Sequence, residues 1–258
     1  MNSIRSAFEN GKAFIPFITG GDPDMETTAL LIREMAAAGA DLIEIGIPFS
    51  DPIAEGPVIQ AASQRALTAG CTVDRLFDMV ETVRESVTVP LLFMTYANPV
   101  FSYGADRFIE RCSKAGISGL IVPDVPFEEK DEFSDICQAY DVAWISMISP
   151  TSGTRAEAIA KEADGFLYCV SSLGVTGVRT EIHSHIADII RRVKAVSQIP
   201  CAVGFGIATP EQAKTMAACA DGVIVGSAIV QIIAQHGRGS VPAVREYVKR
   251  MKDAVRDL

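Results

Sequence analysis

The stretch Ala38-Gly-Ala-Asp-Leu-Ile-Glu-Ile-Gly46 carries the pattern that decides the fold. Small residues that end a helix are followed by a tight turn and then by a short apolar run, which is typical of a buried strand that follows a helix. The same pattern returns at residues 115–123, 163–170 and 220–226. A weak repeat of this kind predicts a fold in which one strand–helix unit is used several times.

Eight short apolar runs are spread along the chain. They are Phe14–Thr19, Leu42–Ile45, Leu91–Thr95, Leu120–Val122, Ala143–Ile148, Phe166–Val170, Ala202–Gly204 and Val223–Val225. Each run is apolar throughout rather than alternating, as expected for parallel strands that are covered on both faces. The amphipathic stretches between them include Met25–Ala38, Asp106–Ala115, Phe127–Tyr140, Arg155–Ala163, Glu181–Val196 and Pro210–Ala217.

This alternation predicts an α/β fold with a parallel sheet. Eight units without a long Ser-, Pro- or Gly-rich linker favour one closed (β/α)8 TIM barrel, with residues 1–258 forming a single domain. Extra helices are predicted near the N-terminus, at about Ser3–Asn10, and at the C-terminus, over Val241–Asp257. An open, doubly wound sheet is the alternative, although no GxGxxG of the dinucleotide-binding type follows the first strand.

The composition narrows the class of protein. A hydrophobic fraction of 48% provides the material for a large core, and a formal net charge of −9 argues against a nucleic-acid partner. No apolar run is long enough to cross a membrane, and residues 1–12 lack the apolar centre of a signal peptide. The six cysteines form no CxxC pair, so we expect small buried residues with free thiols in a reducing compartment. We therefore expect a cytoplasmic protein.

The strongest functional signal follows the second strand, at residues 44–57. In a barrel, functional side chains collect where the strands end. Glu44 lies inside an apolar strand, where burial without a partner raises the pKa of a carboxyl group towards neutrality. A purely structural Glu44 would be paired with an arginine or with backbone donors. Two further carboxylates in the following loop, Asp51 and Glu55, favour an acid/base site instead. Asp51 can also serve as a plain turn residue before Pro52.

A second signal is a set of glycine-bearing turns at residues 171–177, 204–207 and 226–229, after the last three strands. Glycine lets the backbone approach a ligand, and the helix that follows offers free N–H groups. Because barrels often bind phosphate with these loops, the pattern predicts a small phosphorylated substrate, with Ser227 at the start of a helix. The aromatic candidates for the rest of the pocket, or for the core, are Phe17, Tyr96, Tyr168 and Phe205.

The lysines and histidines do not suggest imine or metal chemistry. Every lysine falls on a helix or linker pattern rather than at a strand end, where an imine-forming aldolase needs one. His183 and His185 are two residues apart on a predicted helix and His236 is near a loop, so we expect surface positions rather than metal ligands. The expectation is general acid/base catalysis without metal or cofactor.

Five stretches resemble the tryptophan synthase alpha chain family. They are residues 14–23, 44–57, 122–126, 174–177 and 204–207, and the resemblance extends over essentially the whole chain. It implies a lyase that cleaves indole-3-glycerol phosphate to indole and glyceraldehyde 3-phosphate by a retro-aldol reaction, in tryptophan biosynthesis. It also implies that this chain itself binds no cofactor.

The resemblance gives roles to individual residues. Glu44 takes the place of the glutamate that protonates the indole ring carbon. Glu55 stands where the family usually has an aspartate that accepts the indole N–H, so its side chain is longer by one methylene group. Tyr168 matches a pocket tyrosine. The residues that match the phosphate site and the loop that closes over it are Gly177, Gly206, Gly226, Ser227 and Thr176. Ser172 and Leu173 differ from the usual loop residues.

The resemblance also implies a partner. The family docks on a pyridoxal-phosphate-dependent beta chain, in a complex of two alpha and two beta chains, and passes indole to it through a tunnel. The docking loops are Pro48–Pro57 and Asn98–Pro99, which makes Pro48, Asp51 and Asn98 interface residues.

Three other functions stay open at this point. A stand-alone lyase would use the same residues and release free indole. Another phosphate-binding barrel, such as a sugar-phosphate isomerase, would lack the Glu44–Glu55 loop. A catalytically silent barrel would only activate its partner.

Overall fold

A parallel β-sheet runs through the chain in the computed structural model, which describes residues 3–170, 179–204, 206–256 and 258. Its strands are β1 (Ala13–Thr19), β2 (Ile43–Gly46), β3 (Leu91–Met94), β4 (Gly119–Ile121), β5 (Ala143–Trp144), β6 (Met147–Ile148), β7 (Leu167–Val170), β8 (Cys201–Gly204) and β9 (Gly222–Val225). They are hydrogen-bonded in the order β5-β4-β3-β2-β1-β9-β8-β7-β6. The two ends of this order, β5 and β6, are only two residues apart in the chain.

Residues 143–148 close the sheet into a barrel. β5 pairs with β4, and β6 pairs with β7. The two residues between them continue both ladders, because the Ile145 N–H donates to the Leu120 carbonyl (3.0 Å) and the Tyr168 N–H donates to the Ser146 carbonyl (3.0 Å). β5 and β6 are therefore two halves of one strand, and the predicted (β/α)8 barrel is confirmed.

The helices follow the predicted alternation. They are α1 (Ser3–Ser6), α2 (Met25–Ala37), α3 (Pro57–Thr68), α4 (Val73–Arg84), α5 (Ala97–Tyr103), α6 (Ala105–Lys114), α7 (Asp131–Ala139), α8 (Arg155–Glu162), α9 (Arg179–Lys194), α10 (Pro210–Ala217), α11 (Ser227–His236) and α12 (Val241–Arg256). Within the described ranges, no helix has both the length and the apolar character needed to cross a membrane.

Local side-chain contacts explain where several helices begin and end. The Asp24 carboxylate accepts the Thr27 N–H (2.8 Å) and so starts α2. Thr209 and Gln212 form a reciprocal capping box at the start of α10. The N-terminal helix is shorter than predicted, since beyond Ser6 the backbone continues in i→i+3 turns such as Ala7 N–H to the Ile4 carbonyl (3.1 Å).

Alternate side chains of the strands point into and out of the barrel. Residues that pack together in its centre include Ile15, Leu42, Leu92, Ile121, Ile145, Phe166, Tyr168, Ala202 and Ile224. Their neighbours along the strands, such as Ile43, Ile45 and Phe93, pack against the helices. Five of the six cysteines are buried and Cys219 is partly exposed, all with free thiols. Apolar residues on both strand faces confirm the reading of unbroken apolar runs as covered parallel strands.

An ion pair joins the loop after β1 to α3. The Arg65 guanidinium donates two parallel hydrogen bonds to the Asp22 carboxylate, from Nε to Oδ1 (2.8 Å) and from Nη2 to Oδ2 (2.7 Å). Asp22 is 1% exposed, so removal of Arg65 would leave a buried carboxyl group without its bidentate partner. The pair therefore ties α3, the helix that follows loop 47–56, to the segment that follows β1.

We predict that Asp22→Ala lowers the free energy of unfolding by about 2 kcal/mol, because Arg65 loses a bidentate partner and the substitution leaves a gap. The matched control is Glu110→Ala, which breaks the exposed ion pair of Glu110 with Lys114. Urea unfolding measures both variants. Equal losses for the two would show that the Asp22–Arg65 pair has no special structural role.

Candidate functional site

Glu44 lies in the middle of the barrel without a hydrogen-bond partner among the described residues. It pairs with Phe17 of β1 on one side and with Leu92 of β3 on the other. The residue is 0% exposed, and neither carboxyl oxygen is hydrogen-bonded within the described part of the chain. Burial raises the pKa of Glu44 to about 8. At neutral pH the side chain is therefore a neutral carboxylic acid with a proton to donate.

Two aromatic rings lie at the same end of the barrel, in spaces that glycines provide. A Cβ atom at Gly204 would lie 2.6 Å from the Tyr168 hydroxyl oxygen, and one at Gly46 would lie 2.6 Å from the Phe17 ring. Burial raises the pKa of Tyr168, and the charge of Glu44 adds to this effect. The glycines at these strand ends are therefore required for ring packing.

Glu55 is held by a tyrosine from another loop. The Tyr96 hydroxyl donates to Glu55 Oε2, and the same hydroxyl oxygen accepts the Ala54 N–H (2.8 Å). Glu55 is half-buried. Burial, with a smaller contribution from the negative charge of Asp124, raises the pKa of Glu55 to about 7. The structure thus contains two carboxyl groups that titrate close to neutral pH, one at each of the two predicted catalytic positions.

Asp124 is a site residue that the sequence analysis did not single out. It follows β4, and its carboxylate accepts the Ala97 N–H at 3.0 Å and 3.3 Å. This bond fixes the backbone next to Tyr96, whose ring lies 5.3 Å from that of Phe49. The signal that points to Asp124 is its position in the stretch 122–126, directly after a barrel strand, where functional residues collect.

The predicted phosphate-binding residues lie partly within the described chain. β8 and β9 are neighbours, so the turns that follow them sit side by side. Gly226 is the N-cap residue of α11 and provides no side chain to cap it, and Ser227 is exposed at the first position of the helix. Gly206 has φ +75°, and no described atom beyond its chain neighbours lies within 4 Å of the place where a Cβ would be. Among the described residues, no side chain caps the N-terminus of α11, as an anion site requires. Thr176, Gly177 and Phe205 lie outside the described residues.

The predicted interface residues differ in exposure. Asp51 and Asn98 are exposed, whereas Pro48 is buried within the chain. Two apolar side chains on the same segments are unusually exposed, Ile53 at 80% and Phe101 at 52%. These two residues were not predicted from the sequence, because the exposure of a single apolar side chain leaves no pattern there. Each is therefore an apolar side chain available for contact with another molecule, next to one of the two predicted docking segments.

The histidines do not form a metal site within the described residues. His236 is exposed, and the side chains of His183 and His185 lie outside what the structure describes. Within the described residues, no three His, Cys, Asp or Glu side chains are grouped so as to hold a metal ion.

We predict that the stability cost of Glu44 depends on pH. The unfolded chain releases the Glu44 proton at about pH 4, whereas the folded chain keeps it up to about pH 8. Folding therefore becomes less favourable as the pH rises between these values, by on the order of 5 kcal/mol in total. Urea unfolding of the wild type and Glu44→Gln at about pH 5 and about pH 8.5 tests this. We expect Glu44→Gln to be the more stable protein at the higher pH. A stability difference between them that does not change with pH would contradict the assigned environment.

Comparison with known proteins identifies the family. The sequence profile described as tryptophan synthase alpha chain matches residues 4–256. The alpha chain of Lacticaseibacillus casei is 47% identical, over 99% of this chain and 96% of its own length.

Solved structures agree with the sequence comparison. The alpha subunit of Legionella pneumophila superposes with a TM-score of 0.91 at 37% identity, over 100% of both chains. A chain of the tryptophan synthase complex of Pyrococcus furiosus superposes with a TM-score of 0.86 at 32% identity, over 95% of this chain and 99% of that one. Matches over nearly the full length in both sequence and fold lead to one conclusion: the chain belongs to the tryptophan synthase alpha chain family.

Proposed function

We propose that this chain is a tryptophan synthase alpha subunit, a lyase that cleaves indole-3-glycerol phosphate to indole and glyceraldehyde 3-phosphate. The observation that carries the chemical part is the wholly buried Glu44 carboxyl group, which is not hydrogen-bonded within the described chain and has a pKa of about 8. Such a group holds a proton at neutral pH and has no other described contact to satisfy, as a general acid requires. The proposal treats residues 1–258 as one barrel domain.

In the proposed mechanism, Glu44 acts first as an acid and then as a base. Its proton passes to the indole ring carbon that carries the glycerol side chain, which leaves the ring cationic. The bond between this carbon and the side chain then breaks, and its electron pair returns to the ring. The Glu44 carboxylate takes the proton of the adjacent hydroxyl group as the aldehyde forms. The acid is thereby regenerated.

Glu55 stabilises the cation in this scheme. As a carboxylate, it accepts the indole N–H and offsets the positive charge that develops when the ring is protonated. The proposed apolar walls of the indole pocket are Phe17, Tyr96, Tyr168 and Phe205. The phosphate is assigned to Gly177, Gly206, Gly226 and Ser227, with Thr176 in the loop that closes the site. The open N-terminus of α11 supports this placement, since free N–H groups attract phosphate.

The proposed partner is a tryptophan synthase beta chain, in an assembly of two alpha and two beta chains. The similar Pyrococcus furiosus chain comes from a tryptophan synthase complex. Pro48, Asp51 and Asn98 are assigned to the interface, and the exposed Ile53 and Phe101 add apolar surface to the same two segments. Pyridoxal phosphate belongs to the beta chain, and no cofactor, nucleic acid or membrane is assigned to this one. The proposed location is the cytoplasm.

A stand-alone lyase that releases free indole is the alternative function. Cleavage of indole-3-glycerol phosphate by the isolated chain, with and without a beta chain, separates the two. Strong acceleration by the beta chain supports the subunit, and equal rates support the stand-alone enzyme.

We predict that Glu44→Gln in the assembled complex lowers kcat for indole-3-glycerol phosphate cleavage by at least about 10²-fold, because an amide group is too weak an acid to protonate the ring carbon. Since Glu44 is buried in the barrel, the variant still binds and activates the beta chain. Stopped assays of indole release measure the first effect, and serine-plus-indole turnover measures the second. Unchanged cleavage by the variant complex would remove Glu44 from the mechanism.

We also predict a narrow pH optimum for kcat/KM of cleavage. Glu55 must be ionised, so activity rises with pH through about 7, and Glu44 must be protonated, so activity falls above about 8. Glu55→Gln removes the acidic limb and leaves the alkaline one. A profile that is flat from pH 6 to pH 9 would show that neither carboxyl group limits the reaction.

A further inference from the structure

The Tyr96 hydroxyl joins two loops at the site. It donates to Glu55 Oε2 and accepts the Ala54 N–H (2.8 Å), so one oxygen atom contacts two successive residues of the loop after β2. Tyr96 itself follows β3 and is 3% exposed. A buried side chain on a neighbouring strand end therefore sets the position of the Glu55 carboxylate, in addition to that loop's own turns.

Asp124 holds the segment that carries this tyrosine. Its two carboxylate oxygens lie 3.0 Å and 3.3 Å from the Ala97 nitrogen, and Ala97 is the residue next to Tyr96 and the first of α5. Three consecutive strand ends are thus linked, because Asp124 follows β4, Tyr96 follows β3 and Glu55 belongs to the loop after β2. Asp124 thus holds the backbone beside Tyr96, and Tyr96 holds the Glu55 carboxylate.

We propose that Tyr96 and Asp124 are positioning residues for the Glu55 carboxylate: the hydroxyl anchors it, and Asp124 fixes the backbone that presents the hydroxyl. This inference rests on the proposed role of Glu55. It also gives the longer glutamate side chain a reason, since the carboxylate has to reach a hydroxyl on the neighbouring strand end. Tyr96 is then more than an apolar wall of the pocket.

The two positioning residues affect the charge of Glu55 in opposite directions. A donor hydroxyl stabilises the ionised form, whereas the nearby charge of Asp124 destabilises it. On the loop of Glu55 itself, Asp51 is exposed, and its Oδ2 accepts a hydrogen bond from the Ser50 hydroxyl (2.5 Å). Glu44, on β2, is neutral at pH 7. Among the described groups, Asp124 is the one whose charge acts on Glu55. Removal of the Tyr96 hydroxyl should therefore raise the pKa of Glu55, and removal of the Asp124 charge should lower it.

The experiment is a carboxyl ¹³C NMR titration of the full chain, labelled at the glutamate side chains, with the Glu55 signal assigned from Glu55→Gln. In Tyr96→Phe, which keeps the ring, we expect the Glu55 midpoint to rise by about one pH unit. In Asp124→Asn, which can still accept the Ala97 N–H, we expect the midpoint to fall. The acidic limb of kcat/KM for the complex should move in the same two directions.

The matched control is Tyr103→Phe. Tyr103 also belongs to α5, but its hydroxyl donates to Asp74 on the outer surface (2.7 Å), so the Glu55 midpoint should stay at the wild-type value. A Glu55 midpoint that is unchanged or lower in Tyr96→Phe would overturn the positioning role of the hydroxyl, and a midpoint that is unchanged or higher in Asp124→Asn would show that Asp124 does not lie where its charge acts on Glu55. Failure of the wild-type complex to cleave indole-3-glycerol phosphate would instead overturn the proposed function, and the titration would still decide the roles of Tyr96 and Asp124.

Discussion

The structure depends on the cost of placing the Glu44 carboxyl group in an apolar barrel. A buried carboxylate without a partner is among the least favourable groups in a protein interior, so the chain keeps this one protonated. Everything around it must exclude water without offering a hydrogen bond. The closed sheet surrounds it with mainly apolar side chains, and within the described part of the chain neither Glu44 oxygen finds a hydrogen-bond partner. The same environment that makes Glu44 destabilising makes it an acid near neutral pH.

Glu44 and Glu55 have different surroundings. Gly46 and Gly204 allow the Phe17 and Tyr168 rings to lie against the strand ends, which fills the interior next to the acid. Glu55 has a different environment, half-buried and hydrogen-bonded to a tyrosine. Two glutamates on neighbouring segments thus acquire different proton affinities from their surroundings, as the proposed acid and anion of the mechanism require.

Periodicity and local chemistry predicted the repeating parts of the fold. The unbroken apolar runs gave the parallel strands, and the parity of Leu42 and Glu44 along one strand is enough to place both on the same face. Contacts between distant segments were not predictable. The bond from Tyr96 to Glu55 spans 41 residues, and that from Asp124 to Ala97 spans 27. The first half of residues 143–148 pairs with β4 and the second half pairs with β7. This change of partner depends on how the barrel closes, which the local sequence does not specify.

The central claim is that the folded chain holds Glu44 as a neutral acid at pH 7, and infrared spectroscopy tests it most directly. The C=O stretch of a protonated carboxyl group is separate from the bands of carboxylates and amides. The difference spectrum between the wild type and Glu44→Gln at pH 7 should contain one such band, which disappears as the pH is raised through about 8. A difference spectrum with only a carboxylate band at pH 7 would show that Glu44 is ionised, and the account of the site would be wrong.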